Sequence, residues 1–213
     1  TMAQTAAKGD NAYAELVLKS LPKAAAVNVS PNDSPVPAAY VKSKLADAEL
    51  GEAATRALLD WPEHYAIAEL SKMVAKGKDD TAKLLALRAW IRIADECAGL
   101  NEKKKIEELG KASKLVTRVD EKRLVIGALG RIVYTGSLPM LQTYLKDTVV
   151  MEDAATAIVN LAGQGDKRLK QDAQSALADV IATTKDAAVK AKARKTLADL
   201  KSGKKPKKPT KKG

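Results

Sequence analysis

The sequence predicts an all-α chain, an α-α superhelix of about four to five helix pairs stacked as a solenoid. Three observations carry this. First, the apolar residues are of helical kind: 46% of the chain is hydrophobic, yet Phe is absent, Trp occurs twice and aromatics make up only 3%. Ala and Leu dominate, and they favour helices where strands favour β-branched and aromatic residues. Second, an Asp recurs at the head of an Ala/Leu/Val/Ile-rich stretch, at Asp47, Asp80, Asp120, Asp147 and Asp186. Third, 213 residues hold about five two-helix repeats at roughly 40 residues each.

Taken in order, residues 1–9 are small and polar and read as frayed. Residues 10–21 fit a short amphipathic helix, with Ala14, Val17, Leu18 and Leu21 at helical spacing. Residues 22–38 hold four of the eight prolines and read as an irregular connection. The repeats follow. Each recurring Asp is read as an N-cap, whose carboxylate accepts the free amides of the first turn and complements the helix dipole. Second helices start at Asp60-Trp61-Pro62 and Ser137-Leu138-Pro139, where Pro in the first turn costs no hydrogen bond, and at Asn101 and Asp166. The expected pairs are 47–59 with 62–76, 80–97 with 101–117, 120–134 with 137–146, and 148–163 with 166–184. A last helix covers 186–201. The expected divisions are 1–45, the N-terminal helix and irregular connection; 46–201, the repeat domain; and 202–213, a Lys-rich tail without a fold.

Several of these segments resemble a known family. Asp186-Ala-Ala-Val-Lys with Ala193, Leu197 and Leu200, and Asp120 with Ala128-Leu129-Gly130-Arg131-Ile132, are similar to the first helix of a HEAT repeat. Further markers are Arg56-Ala57-Leu58, Asp60-Trp61-Pro62, Leu85-Ala86-Leu87-Arg88 with Ile91-Arg92, and Asp120-Glu-Lys-Arg-Leu-Val-Ile-Gly-Ala-Leu-Gly. Together they resemble HEAT-repeat domains of exported planctomycete-type bacterial proteins, where such domains accompany sugar-processing or haem-binding modules. The resemblance covers residues 45–200. It implies a HEAT-like, armadillo-like fold and an exported bacterial protein, and it brings no catalytic residues.

The residues point away from catalysis. Histidine occurs once, at His64, and cysteine once, at Cys97. A zinc site needs three or four such ligands in register, so no metal and no cofactor is expected. His64 reads as a surface or capping residue and Cys97 as a small core residue. Gly163-Gln-Gly165 reads as an inter-helix turn, and no phosphate-loop pattern occurs. No apolar run approaches the ~20 residues of a membrane span.

Two helices carry polar stripes worth following. On 81–95, Thr81, Arg88, Arg92 and Asp95 share one stripe among Leu84, Leu85, Leu87, Trp90, Ile91 and Ile93. Such a helix is buried between neighbours, so its stripe faces a groove or finds internal partners. On 121–134, Arg123, Gly127, Gly130 and Tyr134 form a comparable stripe, with glycines that admit either a packed helix or a partner. The expected function is a non-catalytic binding or scaffolding module for a protein or peptide, with Arg56, Arg88, Arg92, Arg123, Arg131 and Tyr134 as contact residues. Trp61 and Trp90 read as inter-helix core. The alternative is a HEAT-like protein that binds nucleic acid or another polyanion, including a DNA glycosylase of that architecture. Its signal is the tail: seven Lys lie in 201–213 without an acid, among them Lys204, Lys205, Lys207, Lys208, Lys211 and Lys212. The formal net charge is +11, and without these seven the rest holds 30 basic against 26 acidic residues.

Overall fold

The structure, a computed structural model, describes residues 11–27, 36–77 and 79–202. Among these, eleven α-helices and two 3-10 turns occur and no strand, so the all-α class holds. The helices fall into two compact units, residues 1–100 and 101–213. The expected boundary at 45/46 lies inside the first unit. The observed boundary at 100/101 lies inside the expected pair 80–97 with 101–117.

The first unit contains α1 (Asn11–Val27), α2 (Val36–Lys44), α3 (Gly51–Leu59), α4 (Ile67–Lys76) and α5 (Asp80–Glu96). The expectation of an irregular stretch from 22 to 38 is corrected at both ends. Helix α1 runs through Pro22 to Val27, and α2 begins at Val36. Proline removes one backbone bond and crowds the preceding turn, at about 3 kcal/mol. Here α1 buries Ala14, Val17 and Leu18 and packs along α3, and this burial offsets the loss. Residues 28–35, like 1–10 and the Lys-rich 203–213, lie outside the described residues. Helix α4 packs most extensively on α5. The latter buries Leu87, Trp90, Ile91 and Ile93, as the expected core helix should, and leaves Leu85 exposed.

The second unit contains α6 (Glu102–Ser113), α7 (Val119–Leu129), α8 (Ser137–Tyr144), α9 (Met151–Ala162), α10 (Lys170–Thr183) and α11 (Ala187–Ser202). Its extensive contacts form a ladder. Consecutive helices touch from α6 to α11, and α7 with α9, α8 with α10 and α9 with α11 touch at the next level. The two odd-numbered contacts make one row and the even-numbered contact a second. The turn after α9 needs glycine: Gly163 ends the helix and Gly165 stands at φ 67°, where a side chain is strained.

The helix starts bear out part of the capping scheme. Asn101 caps α6 through Lys104 N, and Asp186 caps α11 through Ala188 N and Val189 N. Asp166 accepts from Arg168 N and starts the 3-10 turn Lys167–Leu169 before α10. Other starts are shifted. Asp79, not Asp80, caps α5, and Asp80 sits in its first turn paired with Lys83. Arg118 stands at the N-cap position of α7, so Asp120 is a first-turn residue. Asp60 ends α3 rather than starting α4, which a 3-10 turn (His64–Ala66) precedes. Ser137 is buried and donates its hydroxyl to the Ile132 carbonyl.

Asp47 and Asp147 build one further feature. Asp47 accepts from Glu49 N and Leu50 N, and Asp147 accepts from Val149 N. The backbone around both is the same sequence of turns, and α3 and α9 each begin four residues after the Asp. At an offset of 100 residues the sequences align as Leu45/Leu145, Asp47/Asp147, Leu50/Val150, Glu52/Glu152, Ala54/Ala154, Ala57/Ala157 and Leu58/Ile158. The same residue types specify the same local structure in each unit.

Candidate binding sites

The six expected contact residues divide between the units: Arg56, Arg88 and Arg92 in the first, Arg123, Arg131 and Tyr134 in the second. Arg56 is exposed on α3 and pairs with Glu52 at 2.5 Å, one helical turn away. Arg88 is half-buried on α5. Arg92, also on α5, reaches the end of α3, where Nη2 donates to the carbonyls of Leu59 and Trp61, each at 2.9 Å. Leu59 ends α3, so its carbonyl has no helical partner, and Trp61 lies in the connection just beyond the C-cap Asp60.

The stripe expected on 121–134 does not persist. Helix α7 stops at Leu129, with Gly130 as its C-cap, so Arg131 and Tyr134 lie in the connection to α8. Both glycines face the chain itself. A Cβ at Gly130 would stand 3.2 Å from the Ala157 side chain of α9, and one at Gly127 would meet the Arg131 guanidinium at 3.6 Å. Arg123 reaches α9 and pairs with Asp153 at 3.1 Å. The Arg and Gly residues of this stripe therefore serve contacts within the second unit.

Of the remaining residues singled out in the sequence, Trp61 and Trp90 are buried, and so is Cys97. His64 is half-buried, with its ring 4.3 Å from that of Tyr65 and packed near Gly99 and Cys97. Among the described residues no group of three or more His, Cys, Asp or Glu is placed to hold a metal ion. No described helix is long and apolar enough to cross a membrane.

The first unit contains an open cavity of about 220 Å³ that the sequence reading did not locate. Helix α2 supplies Ala38, Ala39, Val41 and Lys42; α3 supplies Leu58. Trp61 follows, then Tyr65 and Ala66 from the 3-10 turn, and Ala68 and Glu69 from α4. The small Ala side chains leave the space. Val41, Leu58, Trp61 and Ala66 are buried in its wall, while Ala39, Tyr65 and Ala68 are exposed. One wall depends on Arg92, because that guanidinium fixes the turn carrying Trp61. The indole N–H of Trp61 is buried without a hydrogen-bond acceptor among the described residues.

The polar part of the rim is an ion-pair set. Glu69 Oε1 receives Lys42 at 2.8 Å and Lys72 at 3.0 Å. The Lys42 ammonium, with Lys72 beside it, holds the Glu69 carboxyl below the ordinary glutamate range. Two cations against one carboxylate leave this edge positive.

Comparison with known protein families, curated proteins and solved structures finds no match. Geometry and chemistry are therefore the ground for function.

Proposed function

We propose that this chain is a binding module of HEAT-like helical repeats that holds a protein or peptide partner by an apolar anchor in the cavity between α2 and α4. The observation that carries this is the cavity itself: small, apolar, open to solvent and bordered by paired charges. Sites for cofactors and drug-sized ligands run to about 300–1,000 Å³, and this one holds about 220 Å³. That volume suits one large side chain of a partner better than a whole small molecule. Interfaces concentrate their energy in such buried anchors, with polar groups at the rim. The positive edge formed by Lys42 and Lys72 favours a partner with a carboxylate next to the anchor.

The solenoid reading is supported by the contact ladder of the second unit. Helices that touch only near neighbours in sequence are the packing rule of repeat proteins, which present extended surfaces to partners. The HEAT-like motifs quoted above supply the same reading from the sequence.

The test is selection of binders to the full chain from a displayed random-peptide library. Enriched peptides should combine one bulky apolar residue with an adjacent Asp or Glu. Ala68→Trp places a large ring in the cavity from an exposed position and should weaken those peptides at least tenfold with helicity unchanged. Peptides that bind A68W as tightly as the parent chain would show that the cavity is not the site.

A further inference from the structure

The elements around the cavity have counterparts in the second unit. Helices α2 and α8 end at Lys44 and Tyr144, each directly before the turn built on Asp47 or Asp147, so residue 38 corresponds to residue 138. The 3-10 turns His64–Ala66 and Lys167–Leu169 directly precede α4 and α10, so residue 66 corresponds to residue 169. This second register also pairs Ala68 with Gln171, both exposed, and the half-buried acids Glu69 and Asp172.

The packing of these counterparts differs. In the second unit α8 packs extensively on α10, and Gln142 Nε2 donates to Asp179 Oδ2 at 2.6 Å between them. In the first unit α2 makes no such extensive contact with α4, and the Lys42–Glu69 ion pair joins them at the rim of the cavity. The side chains account for the difference. Leu138 and Leu169 are fully buried, whereas their counterparts Ala38 and Ala66 line the cavity. Leu70 is larger than its counterpart Ala173, but it is buried outside the cavity lining and does not compensate.

We infer that the anchor this cavity takes is a branched aliphatic side chain, leucine above all, on a partner segment that carries a carboxylate beside it. This rests on the reading of the cavity as an anchor site and narrows it. Val41 and Leu58 of the wall have aliphatic counterparts in Leu141 and Ile158, both fully buried. Walls of this kind are complemented in the second unit by two leucines, which enter from a helix and from a 3-10 turn. A flat aromatic ring does not reproduce that branched shape, and apolar interiors select by shape as well as by volume. An open apolar space forfeits dispersion contacts and stability, and two Ala→Leu changes are enough to close this one. The ammonium groups of Lys42 and Lys72 at the rim favour the adjacent carboxylate.

The test uses the full chain and the peptides that the library selection enriches, each resynthesised with Leu, Phe or Ala at the anchor position. Affinity is read by fluorescence anisotropy. Leu peptides should bind most tightly, and truncation of the anchor to Ala should weaken them at least about tenfold. In the chain, A38L/A66L supplies the two leucines of the second unit. It should raise the melting temperature by about 2–8 °C and weaken the Leu peptides at least about tenfold. Ala38→Leu alone, at a half-buried position, should do both in smaller measure. Phe peptides that bind as tightly as Leu peptides, with A68W still blocking both, would overturn the aliphatic anchor and leave the cavity as the site. Leu peptides that bind A38L/A66L as tightly as the parent chain would overturn the inference, and if A68W does not weaken them either, the cavity reading falls with it. A lower melting temperature in both A38L/A66L and A38L would overturn the correspondence of the two alanines with Leu138 and Leu169.

Discussion

At the scale of single residues, several side chains that look available for a ligand are engaged by the chain itself. Arg92 is the clearest. Its guanidinium satisfies two backbone carbonyls, one at the last residue of α3 and one just beyond it, in a half-buried charge-assisted contact. Arg92→Ala should lower unfolding free energy by about 2–3 kcal/mol, since hydrogen bonds to charged groups contribute about 1.5–3. It should also disturb the cavity through Trp61, so peptide affinity should drop together with the urea midpoint. Gly136 is a steric counterpart. Its φ is −76°, which any residue adopts, but a Cβ there would stand 2.8 Å from Ile106 Cγ2. Gly136→Ala should therefore destabilise the second unit by about 1–3 kcal/mol through overpacking. Thermal melts should show the loss, and a double-mutant cycle with Ile106→Ala should show the Gly136→Ala cost shrinking.

Among the elements, the turns before α3 and α9 contribute to how the chain responds to acid. The backbone amides of Leu50 and Glu49 hold the Asp47 carboxyl below its ordinary range; Lys122, then the Val149 amide, do the same for Asp147. A carboxylate with a depressed folded pKa contributes stability above its unfolded value, about 3.9 for Asp, and that contribution is lost as pH falls through the folded value. The urea midpoint should thus drop between pH 6 and pH 3, and D47N/D147N should show a smaller drop than the parent. The sequence made these elements legible to different degrees. The helices from α3 to α11 were readable because Ala and Leu recur at helical spacing between capping residues. Their starts slipped where two candidates stand side by side, as with Asp79 and Asp80, or where a proline near a helix start was read as entry into the helix, as at Pro62. Pro22 misled in the other direction, because burial of α1 against α3 overrides the local cost of proline. The cavity was hidden since its walls come from α2, α3 and α4, which no local periodicity relates.

For the whole molecule, the division at 100/101 makes a test of autonomy possible. The second unit buries its own set of large apolar side chains, including Leu109, Leu129, Leu141, Ile158, Leu161 and Leu177. A fragment of about this size with its own core meets the usual condition for independent folding. Residues 101–213 expressed alone should be helical by far-UV circular dichroism and melt cooperatively. A fragment with helical signal but a broad, non-cooperative melt would mean that the two units fold as one. The cavity lined by α2, α3 and α4 belongs to residues 1–100, so this fragment should lack the proposed peptide affinity.

The paired turns at Asp47 and Asp147 also bear on how such a chain can grow. A short string that gives the same backbone at two places 100 residues apart behaves as a portable part. It needs a small set of its own residues and an apolar neighbour, and it makes few demands on distant sequence. Genes built from such parts can lengthen by copying a segment in frame, because each added helix meets the same kind of neighbour as the one before it. The two turns differ at the first helical position, which is Gly at 51, where a Cβ would stand 3.1 Å from the Leu45 carbonyl, and Met at 151. What the two share is the aspartate and the apolar spacing, the minimum that such a turn needs to form.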